Sequence, residues 1–234
     1  MEKFVVFDFD GTLTQKGQNA WQSIWQSAGY SIGEGSEYRK LFSEYINGNY
    51  SYKEWNERTC EYLRKGNLSS IKVYTIGALM PSMKGIKNTL KTLRENGYKL
   101  IIVSGSIKQV IKSCLKDNMN YFSAVYANDF LFDSNGILEK INPTRFDFDG
   151  KKRFIELLIT SGVNAKNITF VGNSYNDEKV GETGVKTICI NPETENHTNK
   201  EIWTNVVRGE SISKILPFII DKNNKIENKI ELNY

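Results

Sequence analysis

Two aspartates, Asp8 and Asp10, close the run Phe4-Val5-Val6-Phe7-Asp8-Phe9-Asp10-Gly11-Thr12-Leu13-Thr14. An unbroken apolar lead-in is the pattern of a strand buried on both faces. Residues two apart on a strand face the same way, so both carboxylates can look into one crevice at its carboxyl end. Gly11 lets the backbone turn sharply there and approach a ligand closely. A bare Asp-x-Asp is more readily a solvated turn, but the Gly-Thr continuation and the all-apolar lead-in together favour a site. A second oxygen-rich stretch, Gly172-Asn173-Ser174-Tyr175-Asn176-Asp177, follows the apolar run Ile168-Thr169-Phe170-Val171. Asn173 and Asp177 can point back at Asp8 across a turn, and Mg²⁺ asks for oxygen donors of this kind. Alone, this stretch reads equally as a capped helix start.

Two further segments offer groups for an anion. Leu100-Ile101-Ile102-Val103 runs into Ser104-Gly105-Ser106, where a hydroxyl and backbone N–H groups at a helix start can receive negative charge. The same residues would serve a plain N-cap. Lys151-Lys152-Arg153 opens another helix, where the dipole favours acids by about 0.3–1 kcal/mol each. A bound phosphate would give one lysine a charge to neutralise, and a solvated basic face is the plain alternative.

The elements that must hold these groups alternate. After a first strand ending near Asp10, helical periodicity runs from about Gly17 to Leu79. Its apolar stripes are Trp21, Ile24, Trp25 and Ala28; Leu41, Phe42, Tyr45 and Ile46; and Trp55, Thr59, Tyr62 and Leu63. Then come helix 83–95, strand 98–103, helix 107–115 and strand 124–126. Asp133-Ser134-Asn135-Gly136 separates two short alternating runs, 130–132 and 137–141, as a hairpin turn would. Helix 151–160, strand 168–171, helix 177–181, strand 186–190 and a last helix 212–220 complete the series. No internal repeat is evident. This order predicts an α/β fold: a Rossmann-like, mostly parallel sheet with helices on both faces and a helical cap inserted after the first strand. Residues 1–14 and 80–220 form the expected catalytic core, 15–79 the cap, and 221–234 a polar tail.

Composition narrows the partners. Net charge is +4 from 31 basic and 27 acidic residues, dispersed along the chain, which argues against nucleic acid and membrane surfaces. No run approaches the roughly 20 apolar residues of a membrane span. Cys60, Cys114 and Cys189 are odd in number, widely spaced and in no metal-ligand pattern, so reduced thiols and a cytoplasmic location are expected. Oligomeric state is left open.

The four segments, in this order, resemble the four motifs of the haloacid dehalogenase-like superfamily, most of whose members are magnesium-dependent phosphatases. Met80-Pro81-Ser82-Met83-Lys84-Gly85-Ile86 through Ser106, with a helical cap between the first two motifs, resembles the phosphoserine-phosphatase-like branch. The resemblance is specific over residues 3–14 and 80–190, weak in the cap and absent after about 195. It implies that Asp8 is a nucleophile forming an aspartyl-phosphate and Asp10 the acid and base for the alcohol and the water. It also implies that Ser104, Gly105 and Lys151 bind phosphate, with Lys152 as the alternative lysine. Asp8, Asp10 through its carbonyl oxygen, Asn173 and Asp177 would hold Mg²⁺. The expected activity is a phosphomonoesterase for a small phosphate ester. A phosphotransferase with the same nucleophile, or a phospho-ligand binder that has lost turnover, are the alternatives.

Two departures from the family's pattern stand out. Its metal loop usually begins Gly-Asp, and here it is Gly172-Asn173. Its glutamate for the phosphoserine ammonium would fall near Gly17, where this chain reads Gln15-Lys16-Gly17-Gln18. That argues against phosphoserine and for a leaving group that is uncharged or apolar. The cap's aromatic residues are expected mostly in its core, with a few along an apolar wall over the substrate. His197, the one histidine, is assigned no role.

Overall fold

The computed structural model describes residues 2–199 and 201–220. The expected tail, 221–234, lies outside the described residues, as does the side chain of His197. Strand β1 (Lys3–Phe7) is followed by four helices, α1 (Ala20–Ser27), α2 (Glu37–Ile46), α3 (Tyr52–Lys65) and α4 (Ser70–Leu79). Then come α5 (Ile86–Glu95), β2 (Tyr98–Ile107), α6 (Lys108–Leu115), β3 (Phe122–Phe132), β4 (Leu138–Asn142) and α7 (Gly150–Thr160). The chain continues through β5 (Ile168–Gly172), α8 (Tyr175–Glu178), β6 (Lys186–Ile190), β7 (Asn205–Val207) and α9 (Leu216–Ile219).

The described strands form one sheet in the order β4-β3-β2-β1-β5-β6-β7. Only the β3–β4 hairpin is antiparallel. Alternation along β1 splits its side chains between two buried layers. Val5 and Phe7 join Leu100, Ile102 and the residues of α1–α6, whereas Phe4 and Val6 join Ile101, Val103, Ile155 and Trp203. A strand covered on both faces must be apolar throughout, and each fully buried Val or Phe contributes roughly 1.5–3 kcal/mol. The sheet is thus helix-covered on both sides. Ile24, Trp25, Leu63 and Val73 from the helices after β1 share one apolar cluster with the sheet.

Register decides what the sheet presents. Phe7, the last residue of β1, lies level with Ile102 of β2 and Val171 of β5. The next residues of all three strands, leading to Asp8, Ser104 and Asn173, therefore emerge side by side at the carboxyl edge, where open parallel sheets bind ligands.

Several elements differ from expectation. Runs 124–126 and 130–132 are one strand, β3, because Asn128 and Asp129, which break the apolar pattern, are satisfied inside it: Asn128 bonds Gly105 and Thr144, and Asp129 takes Lys108 and Gln109. The helix expected over 177–181 begins earlier, at Tyr175, capped by Ser174, and passes into a 3₁₀ turn at Lys179–Thr183. The expected helix 212–220 is a 3₁₀ turn followed by the short α9. Helix α4 carries no apolar stripe because its apolar residues lie all round it, with Ile71 and Leu79 exposed. Among the described residues, no helix is long and apolar enough to cross a membrane. The three cysteines are buried, and none is in a disulfide among the described residues.

Candidate active site

The site is built around a lysine. Lys151, in the first turn of α7, is fully buried, and its Nζ lies 3.1 Å from Asp8 Oδ1 and 2.6 Å from Asp177 Oδ1. It also donates to Asn176 Oδ1 at 3.3 Å. Burial alone would push the ammonium pKa down; Asp177 and Asp8 outweigh it and hold it above its ordinary value. Lys152 points elsewhere, to Glu182 at 2.6 Å, and Arg153 to Asp149 at 2.5 Å. The cations that oppose the helix dipole are therefore each matched by protein carboxylates.

Asp8 leaves β1 with its N–H donating to Val171 O at 2.9 Å, which pins it to the neighbouring strand. Burial pushes its carboxyl pKa up, Lys151 pulls it back and Asp177 raises it again, with the Ser104 hydroxyl alongside. Asp10 accepts the N–H of Ala20, the first residue of α1, at 3.2 Å. Burial first, then the Asp8 charge, push the Asp10 carboxyl up to about 8, toward the protonated form a general acid needs.

Asp177 is committed. Oδ1 faces Lys151, and Oδ2 accepts the backbone N–H of Asn173 at 2.9 Å and of Ser174 at 3.0 Å. Asn173 is buried, and its Oδ1 accepts the Thr12 hydroxyl at 3.2 Å. Its amide lies against Gly11, whose φ is +71°. A β-carbon on Gly11 would overlap Asn173 Nδ2. Gly11→Ala is therefore expected to lower stability by roughly 1–2 kcal/mol through the left-handed turn alone. It should also displace the Asn173 amide. A thermal or urea unfolding comparison with wild type checks the first effect, and an unchanged midpoint would refute it.

Ser104, Gly105 and Ser106 form a bulge. Val103 pairs with Tyr126 and Ile107 with Asn128, so three residues of β2 stand opposite Ala127 alone. No side chain caps α6; the Ser104 hydroxyl instead accepts Ser106 N–H at 3.2 Å. The Gly105 carbonyl accepts Trp21 Nε1–H from α1 at 2.8 Å and Asn128 Nδ2–H at 2.5 Å. The other end of the Asn128 amide accepts Thr144 N–H at 2.5 Å, tying the bulge to the loop that precedes α7.

That loop carries a group the sequence reading missed. The Asp147 carboxylate lies against Gly105, with Oδ1 where a β-carbon would stand. Burial pushes its pKa up to about 7, tempered by Lys151 and reinforced by Asp8. A signal was present: Phe146-Asp147-Phe148-Asp149-Gly150 repeats Phe7-Asp8-Phe9-Asp10-Gly11 letter for letter, a five-residue match too short to register as a repeat. The two copies fold differently. Gly11 turns with positive φ, whereas Gly150 starts a helix and Asp149 pairs with Arg145 and Arg153.

These groups open into a cleft of about 430 Å³ whose far wall comes from α1–α3, including Trp21, Trp25, Tyr38, Phe42 and Trp55. A hard cation fits the donors. Asp8, Asp10 and Asp147 crowd one end, while the one buried lysine there already serves Asp8 and Asp177. No cluster of three or more His, Cys, Asp or Glu among the described residues forms a metal cage. The available set is oxygen only: Asp8, the Asp10 carbonyl and the Asn173 amide, the few-ligand, water-completed arrangement that suits Mg²⁺.

Residues 2–183 match the family model described as haloacid dehalogenase-like hydrolase. A phosphoserine phosphatase of Archaeoglobus fulgidus is 26% identical over 214 residues, 91% of this chain. The match spans 57% of that relative's length. Among solved structures, a phospho-aspartyl intermediate analogue of phosphoserine phosphatase superposes with a TM-score of 0.68 at 22% identity, covering 94% of this chain and 99% of the other. A hydrolase of the same family from Salmonella enterica serovar Typhi gives 0.73 at 16% identity, covering 94% and 71%.

Proposed function

The chain belongs to the haloacid dehalogenase-like hydrolase family, and from that premise we propose that it is a magnesium-dependent phosphomonoesterase acting on a small phosphorylated metabolite. The observation that carries this reading is the buried Lys151, held between Asp8 and Asp177 where three strand ends converge. Buried ion pairs rarely outdo apolar side chains of the same volume in stability, so chemistry is the better account of this one. The helices of residues 15–79 act as a cap over the cleft.

In this mechanism a carboxylate oxygen of Asp8 attacks phosphorus and the bond to the ester oxygen breaks. Asp10, in its protonated form, gives its proton to the departing alkoxide. Deprotonated, it takes a proton from a water that attacks the aspartyl-phosphate, releasing phosphate and restoring Asp8. Ser104, the Gly105 N–H and Lys151 receive the phosphoryl oxygens as charge redistributes. Mg²⁺, held by Asp8, the Asp10 carbonyl and Asn173, would offset the repulsion between nucleophile and phosphoryl group. Both Asp177 oxygens are engaged, which favours a positioning role on Lys151 and the Asn173 turn over the direct metal contact expected from sequence.

A panel of phosphorylated metabolites assayed with and without Mg²⁺ tests the reading; no hydrolysis of any ester with Mg²⁺ present would sink it. Asn173 favours the alternative of a binder without turnover, and the same panel separates the two. A neutral amide in place of a carboxylate should leave Mg²⁺ weakly held. Asn173→Asp is thus expected to lower the Mg²⁺ concentration for half-maximal activity severalfold. Identical metal titrations of the two proteins would show that Asn173 is not a ligand.

A further inference from the structure

Three buried side-chain polar atoms among the described residues meet no hydrogen-bond partner: Thr89 Oγ1, Trp203 Nε1 and Ser106 Oγ. Thr89 and Trp203 do not line the cleft, whereas Ser106 does. Leaving a buried hydroxyl unpaired costs about 1–3 kcal/mol, so such a group at a site calls for a reason. The proposed chemistry uses Ser104 and the Gly105 N–H and gives the Ser106 side chain nothing to do.

Spacing explains where that hydroxyl stands. Ser104 and Ser106 are two apart, as are Asp8 and Asp10, and the strands that lead to them run parallel with Phe7 level with Ile102. The Ser104 hydroxyl lies beside Asp8 and the Ser106 hydroxyl beside Asp10, each steadying the charged form of its carboxyl group. Ser106 cannot swing out to solvent. It is 2% exposed, its N–H is tied to Ser104 Oγ at 3.2 Å, and the Gly105 carbonyl before it is clamped by Trp21 and Asn128. Asp10 needs such a neighbour. Its Oδ1 accepts the Ala20 N–H at 3.2 Å, and one hydrogen bond of that length leaves the carboxyl group free to turn about a soft torsion. A second donor fixes its plane.

We infer that Ser106 is a positioning residue for the hydrolytic half of the reaction: its hydroxyl holds the Asp10 carboxylate in the orientation from which that group takes a proton from the attacking water. This deepens the phosphatase reading and rests on it. In the first half-reaction Asp10 holds a proton and has no charge to steady. Once that proton has left with the alcohol, Asp10 is a carboxylate beside the new aspartyl-phosphate, and the Ser106 O–H and the Ala20 N–H are its two donors. A hydroxyl suits this task because its hydrogen turns to follow the acceptor. Water then attacks phosphorus and its proton passes to Asp10. The bond from phosphorus to the Asp8 oxygen breaks, and phosphate leaves with Asp8 restored as a carboxylate. Ser106 neither gains nor loses a proton; it acts through Asp10 alone.

Stopped-flow turnover of p-nitrophenyl phosphate with Mg²⁺ tests the inference, because nitrophenolate departs without a proton and the first step makes no demand on Asp10. In Ser106→Ala that first step should keep its wild-type rate. The steady rate should fall by roughly tenfold, a part of the about 10²–10⁴-fold that a well-placed general base supplies. The phosphoenzyme then accumulates, and a burst approaching one nitrophenolate per site appears. The alanine variant should melt no lower than wild type, since it loses an unpaired buried group; a folding defect cannot then account for the slower turnover. An unchanged steady rate with no burst would overturn the inference while the phosphatase reading stands. Equal slowing of both phases would overturn it too, by giving Ser106 a general role in shaping the bulge. If wild type hydrolyses an ester of the metabolite panel but not nitrophenyl phosphate, the two steps are read on that ester as alcohol and phosphate released after rapid quench. Failure of wild type on every ester sinks the phosphatase reading and takes the inference with it.

Discussion

Asp8→Asn is expected to lower kcat by a factor on the order of 10⁴ to 10⁶, the range seen when a nucleophile is removed, and to leave the chain folded. An amide nitrogen or carbonyl is too poor a nucleophile for phosphorus, and no other carboxylate shares this position. Asp10 is turned to the Ala20 N–H with its carboxyl pKa pushed up to about 8, Asp177 is consumed by Lys151 and two backbone N–H groups, and Asp147 lies against Gly105 on the neighbouring bulge. The fold should survive because asparagine has nearly the same shape, and its carbonyl oxygen can still accept from Lys151, 3.1 Å from Asp8 Oδ1 in wild type. The substitution also removes a charge that burial disfavours. Stability should therefore change little, in contrast to activity. Steady-state rates alongside a thermal melt decide it. Wild-type turnover in a folded Asp8→Asn protein would place the nucleophile elsewhere.

What could be read from the sequence follows from range. Strand β1 was legible because burial on both faces leaves no polar residue in Phe4–Phe7, and because Asp8 and Gly11 mark its end locally. Ser104, Lys151 and Asn173 were legible as motif positions, but their pairing needs the register of β1 with β2 and β5. The choice between Lys151 and Lys152 depends on the phase of one helix, which only the buried Asp8–Lys151–Asp177 contact fixes. Strand β7 was missed because three residues carry no period, and its pairing with β6 is entirely tertiary. Asp147 was missed for a further reason. Nothing local distinguishes it from Asp149, two residues on; the aromatic anchoring of Phe148 and the absence of a side chain at Gly105 turn one acid inward and leave the other to arginines.

Lys151→Met offers the sharpest separation of stability from chemistry. Methionine fills much the same volume, so packing is largely preserved while the ammonium disappears. Asp8 and Asp177 are then left buried and close together without a countercharge. Breaking a buried pair by removing one partner typically costs about 3–5 kcal/mol, and here two acids are orphaned at once. Proton uptake by one of them sets the upper limit, since burial and the Asp177 charge both push the Asp8 carboxyl pKa up. Activity should be lost as well, because no other buried cation faces the proposed phosphoryl site among the described residues. Folding and function can be parted with a second substitution. In Lys151→Met with Asp177→Asn, the repulsion is relieved, and the asparagine oxygen can still accept an N–H of the Asn173–Ser174 turn. The double variant should regain part of the lost stability, a coupling of the kind double-mutant cycles detect between contacting residues, yet remain inactive. Urea denaturation of the wild type, both single variants and the double variant measures that coupling. Strict additivity would mean that Lys151 and Asp177 do not interact energetically. Activity in the double variant would remove Lys151 from the reaction altogether.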